Sequence, residues 1–203
     1  MFRRSQAVFL AVLALLATAV LPALAVDTYA IDPAHSSVGF TVRHLVSKVP
    51  GRFTTFSGTI SYDPQKIENS SVDVTIDAAS ITTDNGMRDK HLKTPDFFAV
   101  DQFPTLTFKS TKIEKTGDDT FDLTGDLTLR GVTKSVVLKT ESLGATNDPK
   151  FGNRVGFDAT TRINRKDFGV SWNQTLDNGG LVVGEDVQIQ IAVEAIVQPS
   201  QGK

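Results

Sequence analysis

The chain has 203 residues, with 21 basic and 23 acidic side chains, three histidines and no cysteine. Without cysteine there is no disulfide framework, no thiol nucleophile, no thiolate metal site and no lipid-modified cysteine. The near-balanced charge, with no long basic run, argues against a nucleic-acid partner.

Residues 1–25 read as a signal peptide. Arg3 and Arg4 give a positive start, an uncharged apolar run covers Ala7 to Leu21, and Ala23-Leu24-Ala25 follows Pro22 in the small-x-small form of a cleavage site. The apolar run is shorter than the roughly 20 residues of a spanning helix. Residues 26–203 are then expected to form a single exported domain, with no transmembrane segment left after cleavage. Removing Arg3 and Arg4 from the 21 basic residues leaves 19 against 23 acidic ones, a net charge of −4.

Period-two alternation dominates this domain, and each alternating run predicts a strand with one apolar face. A weak strand is expected at Asp27–Ile31. Val38, Phe40 and Val42 mark the next, followed by Phe56, Gly58, Ile60 and Tyr62, and then by Val72, Val74 and Ile76. Asp84 to Leu92 is polar and helix-compatible, with Asp84 as the expected N-cap. A packed loop with Phe97, Phe98 and Phe103 leads to Pro104. Strands resume at Leu106 and Phe108, at Phe121 to Leu129, more weakly at Lys134–Thr140, then at Val155 to Ile163 and Val187 to Val193. Gly131 suits a tight hairpin, Asn164–Phe168 a short helical turn, and Ala145–Asn153 a long loop that could support a homodimer. Asp63-Pro64, Gly117-Asp118-Asp119, Asn147-Asp148-Pro149 and Asn178-Gly179-Gly180 are the turn signals.

The fold expected is all-β with one or two short helices: about eight or nine strands in a closed antiparallel barrel, which leaves no free edge. A two-sheet sandwich is the competing arrangement. An outer-membrane barrel fits poorly. The phenylalanines lie within the apolar face rather than in girdles at the strand ends, and Asp73, Asp122, Asp126 and Arg162 suit a solvated exterior.

Catalytic chemistry finds little support. No G-x-S-x-G, P-loop or G-x-G-x-x-G is present. His35, His44 and His91 share no short ligand spacing, so no metal site and no cofactor are expected. Arg43, Arg88, Arg162 and Arg165 are the charges that could meet a phosphate. An eight-stranded barrel either fills itself with side chains or holds one ligand. Gly58, Gly125, Ala159 and Ala195, mixed with large rings on the apolar face, are expected to leave room for a hydrocarbon guest.

Ile31-Asp32-Pro33-Ala34-His35-Ser36-Ser37-Val38-Gly39-Phe40 and Gly51-Arg52-Phe53 resemble the start of the YceI-like family. Arg88-Asp89-Lys90-His91-Leu92, Asp96-Phe97-Phe98, the run Gly125 to Lys134, and Ile163-Asn164-Arg165 with Asp167-Phe168-Gly169 and Trp172 extend the resemblance over most of Asp27 to Val197. The resemblance implies a lipocalin-like barrel with a long apolar tunnel, export to the periplasm, and binding of polyisoprenoid, quinone-like or prenyl-phosphate lipids. It implies no enzyme activity and no catalytic residues. On this reading Phe40, Val42, Phe56, Ile60, Val74, Phe108, Phe121, Leu123, Phe157 and Trp172 line the tunnel, with Arg43, His44, Arg88 and His91 at its mouth. The alternatives are an enzyme working at the mouth and a filled barrel acting through its outer surface.

Overall fold

The computed structural model describes residues 26–176 and 180–199. The expected signal peptide, and the Asn178-Gly179 part of the last turn signal, lie outside the described residues. The strands are β1 (Asp27–Ile31), β2 (Ser37–His44), β3 (Ser47–Phe53), β4 (Phe56–Tyr62), β5 (Ser71–Asp77), β6 (Ile81–Thr82), β7 (Thr105–Lys115), β8 (Thr120–Leu129), β9 (Val132–Asp148), β10 (Gly152–Asn164) and β11 (Val183–Val197). One α-helix, α1 (Gly86–Leu92), and short 3₁₀ turns join them, among them Arg165–Phe168.

Eight of these strands close a ring in the order β1, β4, β5, β7, β8, β9, β10, β11 and back to β1, all pairs antiparallel. The sandwich alternative is therefore excluded. Strand β11 serves two neighbours. Its end, Ala195 to Val197, pairs with β1, and its earlier part, Val183 to Ala192, pairs with β2. Strands β2, β3 and β6 thus extend the wall upward at one end, where α1 also sits. Register shifts at Ser110/Lys112, Gly156/Phe157 and Val183/Val187 let the long strands bend around the ring.

The alternation sorts the faces as expected. Phe121 and Leu123 on β8, and Val155, Phe157, Ala159 and Ile163 on β10, are buried. Opposite the helix end, Tyr29, Tyr62, Phe157 and Phe121 stack edge to face in a chain with centroid spacings of 6.3, 5.5 and 6.1 Å. This geometry suits the ring quadrupoles.

Several expectations need correction. The N-cap of α1 is Asn85, whose side chain accepts from the Arg88 N–H at 3.1 Å. Asp84 has a left-handed φ of 58° and is held by both Arg52 Nη atoms at 3.0 Å, so its carboxylate is turned away from the helix. Ala145–Asn153 is not a long loop: β9 runs to Asp148 and β10 starts at Gly152, with register kept from Gly152↔Asp148 to Gly156↔Gly144. Strand β3 was not anticipated.

Two tight hairpins differ in chemistry. Arg130 and Gly131 turn β8 into β9 with φ of 51° and 73°, conventional work for glycine. The β2–β3 hairpin turns on Leu45 and Val46, with Leu45 at φ 52°. A non-glycine residue there costs about 1–2 kcal/mol.

Candidate functional site

The inward faces do not fill their own barrel. A cavity of about 630 Å³ runs inside it, within the range of roughly 300–1,000 Å³ typical of ligand sites. Its wall draws on nearly every strand, from Ile67 and Val72 toward the far end to Phe97, Trp172 and Val183 under the helix end. Most polar residues of the wall, Ser70, Thr83, Arg88, Thr140 and Arg165 among them, are bonded within the protein. The Thr140 hydroxyl donates to the Leu138 carbonyl, and Ser70 Oγ accepts from the Asp63 N–H. The tunnel surface that remains is apolar, and such a hollow favours an apolar guest over water.

The reason for the hollow differs from the expected one. A Cβ on Gly125 would lie 2.4 Å from Phe108 Cζ and 2.6 Å from the Lys109 carbonyl, and one on Gly58 would lie 2.5 Å from the Asp73 carbonyl. Those glycines are already covered and leave no room. Ala195 is fully buried and is not part of the wall. The hollow therefore does not come from these small residues; of the four, only Ala159 borders it.

At the helix end the cavity reaches the surface among Met87, Arg88, Asn85, His44 and Gln174. Helix α1 is tied to β6 through Asp89. Its Oδ1 accepts from the Thr83 N–H (2.8 Å) and hydroxyl (2.5 Å), and its Oδ2 from the Thr82 hydroxyl (2.9 Å). Burial raises the Asp89 carboxyl, but those bonds outweigh it and hold the group below the usual range. Arg88 Nε donates to Thr83 Oγ1 at 2.7 Å, and Arg88 Nη2 to the Thr83 carbonyl at 2.9 Å. His91 meets Phe97 and Trp172 edge-on, with centroids 5.0 and 4.9 Å away, and its Nε2 lies 2.7 Å from Asp96 Oδ2. That pair is the kind of convergence an enzyme would use, yet both side chains are about half exposed and the imidazole is wedged as part of an aromatic gate.

Thirteen of the fourteen expected site residues line the cavity: Phe40, Val42, His44, Phe56, Ile60, Val74, Arg88, His91, Phe108, Phe121, Leu123, Phe157 and Trp172. Arg43 does not. Strand parity turns it outward between Val42 and His44, where its Nε donates to the Leu45 carbonyl at 2.9 Å. Sequence reasoning missed Met87 and Thr83, and did not commit Arg165 to the site although it singled that arginine out. Arg165 is 5% exposed and lies in the cavity wall. Its guanidinium donates to the carbonyls of Gly184 (2.9 Å), Val170 (2.7 Å) and Val183 (3.5 Å). Two of these carbonyls belong to the register shift in β11. Burial lowers the Arg165 pKa, and the nearby Glu185 charge opposes that.

On the outer wall Asp32, His35 and Glu194 bring three potential metal ligands within 4.8 Å of one another. A cation already serves them: Arg154 Nη1 bonds both Asp32 Oδ2 and Glu194 Oε1. His35 Nδ1 lies 2.8 Å from Asp32 Oδ2. The set reads as a clasp between β10, β11 and the turn after β1.

Residues 29–195 match the family model described as the YceI-like domain. A UPF0312 protein of Ectopseudomonas mendocina is 42% identical over 179 residues, which is 87% of this chain and 90% of that protein. One from Vibrio parahaemolyticus is 45% identical over 145 residues, 70% of this chain and 77% of the relative. Among solved structures, Burkholderia cenocepacia BcnA superposes with a TM-score of 0.71 at 27% identity, covering 81% of this chain and 98% of that one. The Campylobacter jejuni YceI protein gives 0.66 at 34% identity over 78% and 90%. A polyisoprenoid binding domain from Saccharophagus degradans gives 0.62 at 17% identity over 84% and 98%, a likeness of fold alone.

Proposed function

Because the chain belongs to the YceI-like family, we propose that it is a periplasmic binding protein that carries a long apolar lipid, of the polyisoprenoid or quinone-like kind, inside its barrel. The observation that carries this reading is the tunnel of about 630 Å³, lined mainly by apolar side chains from nearly every strand. A hydrocarbon tail needs no polar partner there. Each buried CH₂ contributes roughly 0.8 kcal/mol, so about fifteen carbons supply on the order of 12 kcal/mol. That is comparable with the association cost of about 4–15 kcal/mol.

The reading is one of binding without turnover. At the mouth Arg88 and Asp89 are engaged in holding α1, and the His91–Asp96 pair is built into the aromatic contacts with Phe97 and Trp172. A filled barrel working only through its outer surface is at odds with the cavity. The periplasmic address draws its support from the leader-like pattern of residues 1–25.

Organic extraction of the full chain, purified without detergent and followed by mass spectrometry, is expected to release a long-chain lipid in near-stoichiometric amount. Repeated absence of any lipid, together with failure of the delipidated protein to take up a fluorescent prenyl probe, would overturn the proposal.

A further inference from the structure

The tunnel mouth is surrounded by apolar side chains that face water. Val46 is 100% exposed and Met87 is 85% exposed, while Leu45, Leu176 and Leu181 expose between a third and a half of their surface. The backbone brings the Leu45–Val46 turn and the Leu176 and Leu181 segment together, and Met87 shares the cavity rim with them. The Leu45 N–H donates to the Val182 carbonyl at 2.9 Å, Thr175 bridges Leu181, and the Val182 N–H returns to the Gln174 carbonyl at 3.0 Å. His44, Met87, Gln174 and Val182 all line the opening itself. Scattered exposed leucines need no explanation, but a contiguous group around one opening does.

The Leu45–Val46 turn sharpens the point. It is the site where a hairpin favours glycine or asparagine, and it carries instead a strained leucine and a fully exposed valine. Stability and solubility would both favour other residues there. The other two-residue hairpin puts a polar Arg130 at the same left-handed position and Gly131 after it, where this turn has Val46.

The charges flanking the Leu45–Val46 turn, Arg43 and Lys48, are both positive, and no ion pair to either is formed among the described residues. Arg43 and Arg88 donate to the Leu45 carbonyl and to Thr83 rather than to carboxylates, and Lys48 stands across the ladder from Arg43. Among the acids at this end, Asp84 is paired with Arg52 and Glu185 with Lys166, while Asp89 keeps its charge beside Arg88. The domain as a whole is acidic, at −4 once Arg3 and Arg4 are set aside from the 21 basic residues against 23 acidic. A basic, apolar rim on an acidic body is oriented mouth-first by an anionic surface.

We propose that this rim docks on an anionic lipid bilayer, with the Leu45–Val46 turn and Met87 entering the headgroup layer so that the tunnel opens onto the membrane. Docking gives a lipid tail a route from bilayer to barrel without crossing water. The purpose of the surface rests on the lipid-carrier reading, while its existence is tested separately from it.

The test is flotation of the full mature chain with vesicles of phosphatidylcholine alone or mixed with phosphatidylglycerol. The chain is expected to float with the mixed vesicles, more weakly with phosphatidylcholine alone, and less as salt is raised. Val46→Asp, at a fully exposed position, and the pair Arg43→Glu with Lys48→Glu are each expected to weaken vesicle binding about tenfold or more. Uptake of a prenyl probe from detergent solution is expected to be unchanged in both variants. Equal flotation of wild type and variants, or no flotation of the wild type with probe uptake intact, overturns the docking surface and leaves the mouth to a protein partner. Loss of probe uptake by the wild type overturns the carrier reading instead.

Discussion

Adding bulk at two small residues of the inner face should have opposite effects. Ala159 lies in the middle of β10, between Thr140 of β9 and Ile191 of β11, is 8% exposed and faces the tunnel. In Ala159→Phe the new ring has open space to enter. Burying it gains about 1.5–3 kcal/mol, less about 1 kcal/mol for ordering the side chain, so the net is roughly 1 kcal/mol of added stability. For a domain of this size that is a rise in Tm of about 2–4 °C. The ring blocks the bore, so the lipid recovered by extraction should fall at least severalfold. Gly125→Ala adds far less, but its Cβ would meet Phe108 Cζ at 2.4 Å and the Lys109 carbonyl at 2.6 Å. Overpacking of this kind costs about 1–3 kcal/mol, a drop in Tm of several degrees. Differential scanning calorimetry on delipidated protein, with lipid extraction in parallel, measures both. If Ala159→Phe is folded and still carries a full complement of lipid, the tunnel is not where the lipid resides. If it destabilises the barrel more than Gly125→Ala does, the open space beside Ala159 is not real.

Other outcomes follow from single contacts. Arg165→Met should lower stability by about 3 kcal/mol in urea unfolding, because it strips the donor from the buried carbonyls of Val170 and Gly184, at about 1–3 kcal/mol for each acceptor left unpaired; a loss under about 0.5 kcal/mol would show that water replaces it. Asn85→Ala should cost about 1 kcal/mol and speed hydrogen exchange in α1 alone, since it removes the cap bond to Arg88 N–H; unchanged exchange there would refute the assignment of the cap. The Asp32 carboxyl is held low, first by its bond from His35, then by the Ala34 N–H, with Arg154 adding to both, and Asp89 is also low despite its burial. Their folded values lie below the unfolded one of about 3.9, so their contribution is complete above about pH 4 and fades as pH falls through the folded values. Urea midpoints should therefore drop below pH 4, and Asp32→Asn should flatten that drop; a midpoint that holds steady toward pH 2 would contradict it.

The barrel was legible wherever one face of a strand is wet and the other dry. Strands β8, β10 and β11 show this in their residues, and their buried positions fall where alternation put them. Strand β3, Ser-Lys-Val-Pro-Gly-Arg-Phe, was hidden because it stands on the extended rim, where Pro50 and Gly51 interrupt the pattern. The last turns of β9 and the first of β10 exist by pairing with each other rather than by burying a face, so their polar sequence read as a loop. The tunnel wall followed from parity, and the same parity, applied one residue further, would have turned Arg43 outward. Met87 and Arg165 had no such signal. Their roles depend on where a helix and a 3₁₀ turn sit above the ring, which pairing far apart in sequence decides.

That distance in sequence also governs when the container exists. The ring is closed by three residue pairs between the first and last strands, Tyr29 with Val197, Ala30 with Ile196 and Ile31 with Ala195. Until β11 arrives the wall is missing a stave, and the contacts that complete it span nearly the whole domain, which makes closure late and slow. A chain that still lacks β11 therefore offers an open curved sheet rather than a vessel. A guest can be enclosed only after β11 has joined β1, so filling follows completion of the ring.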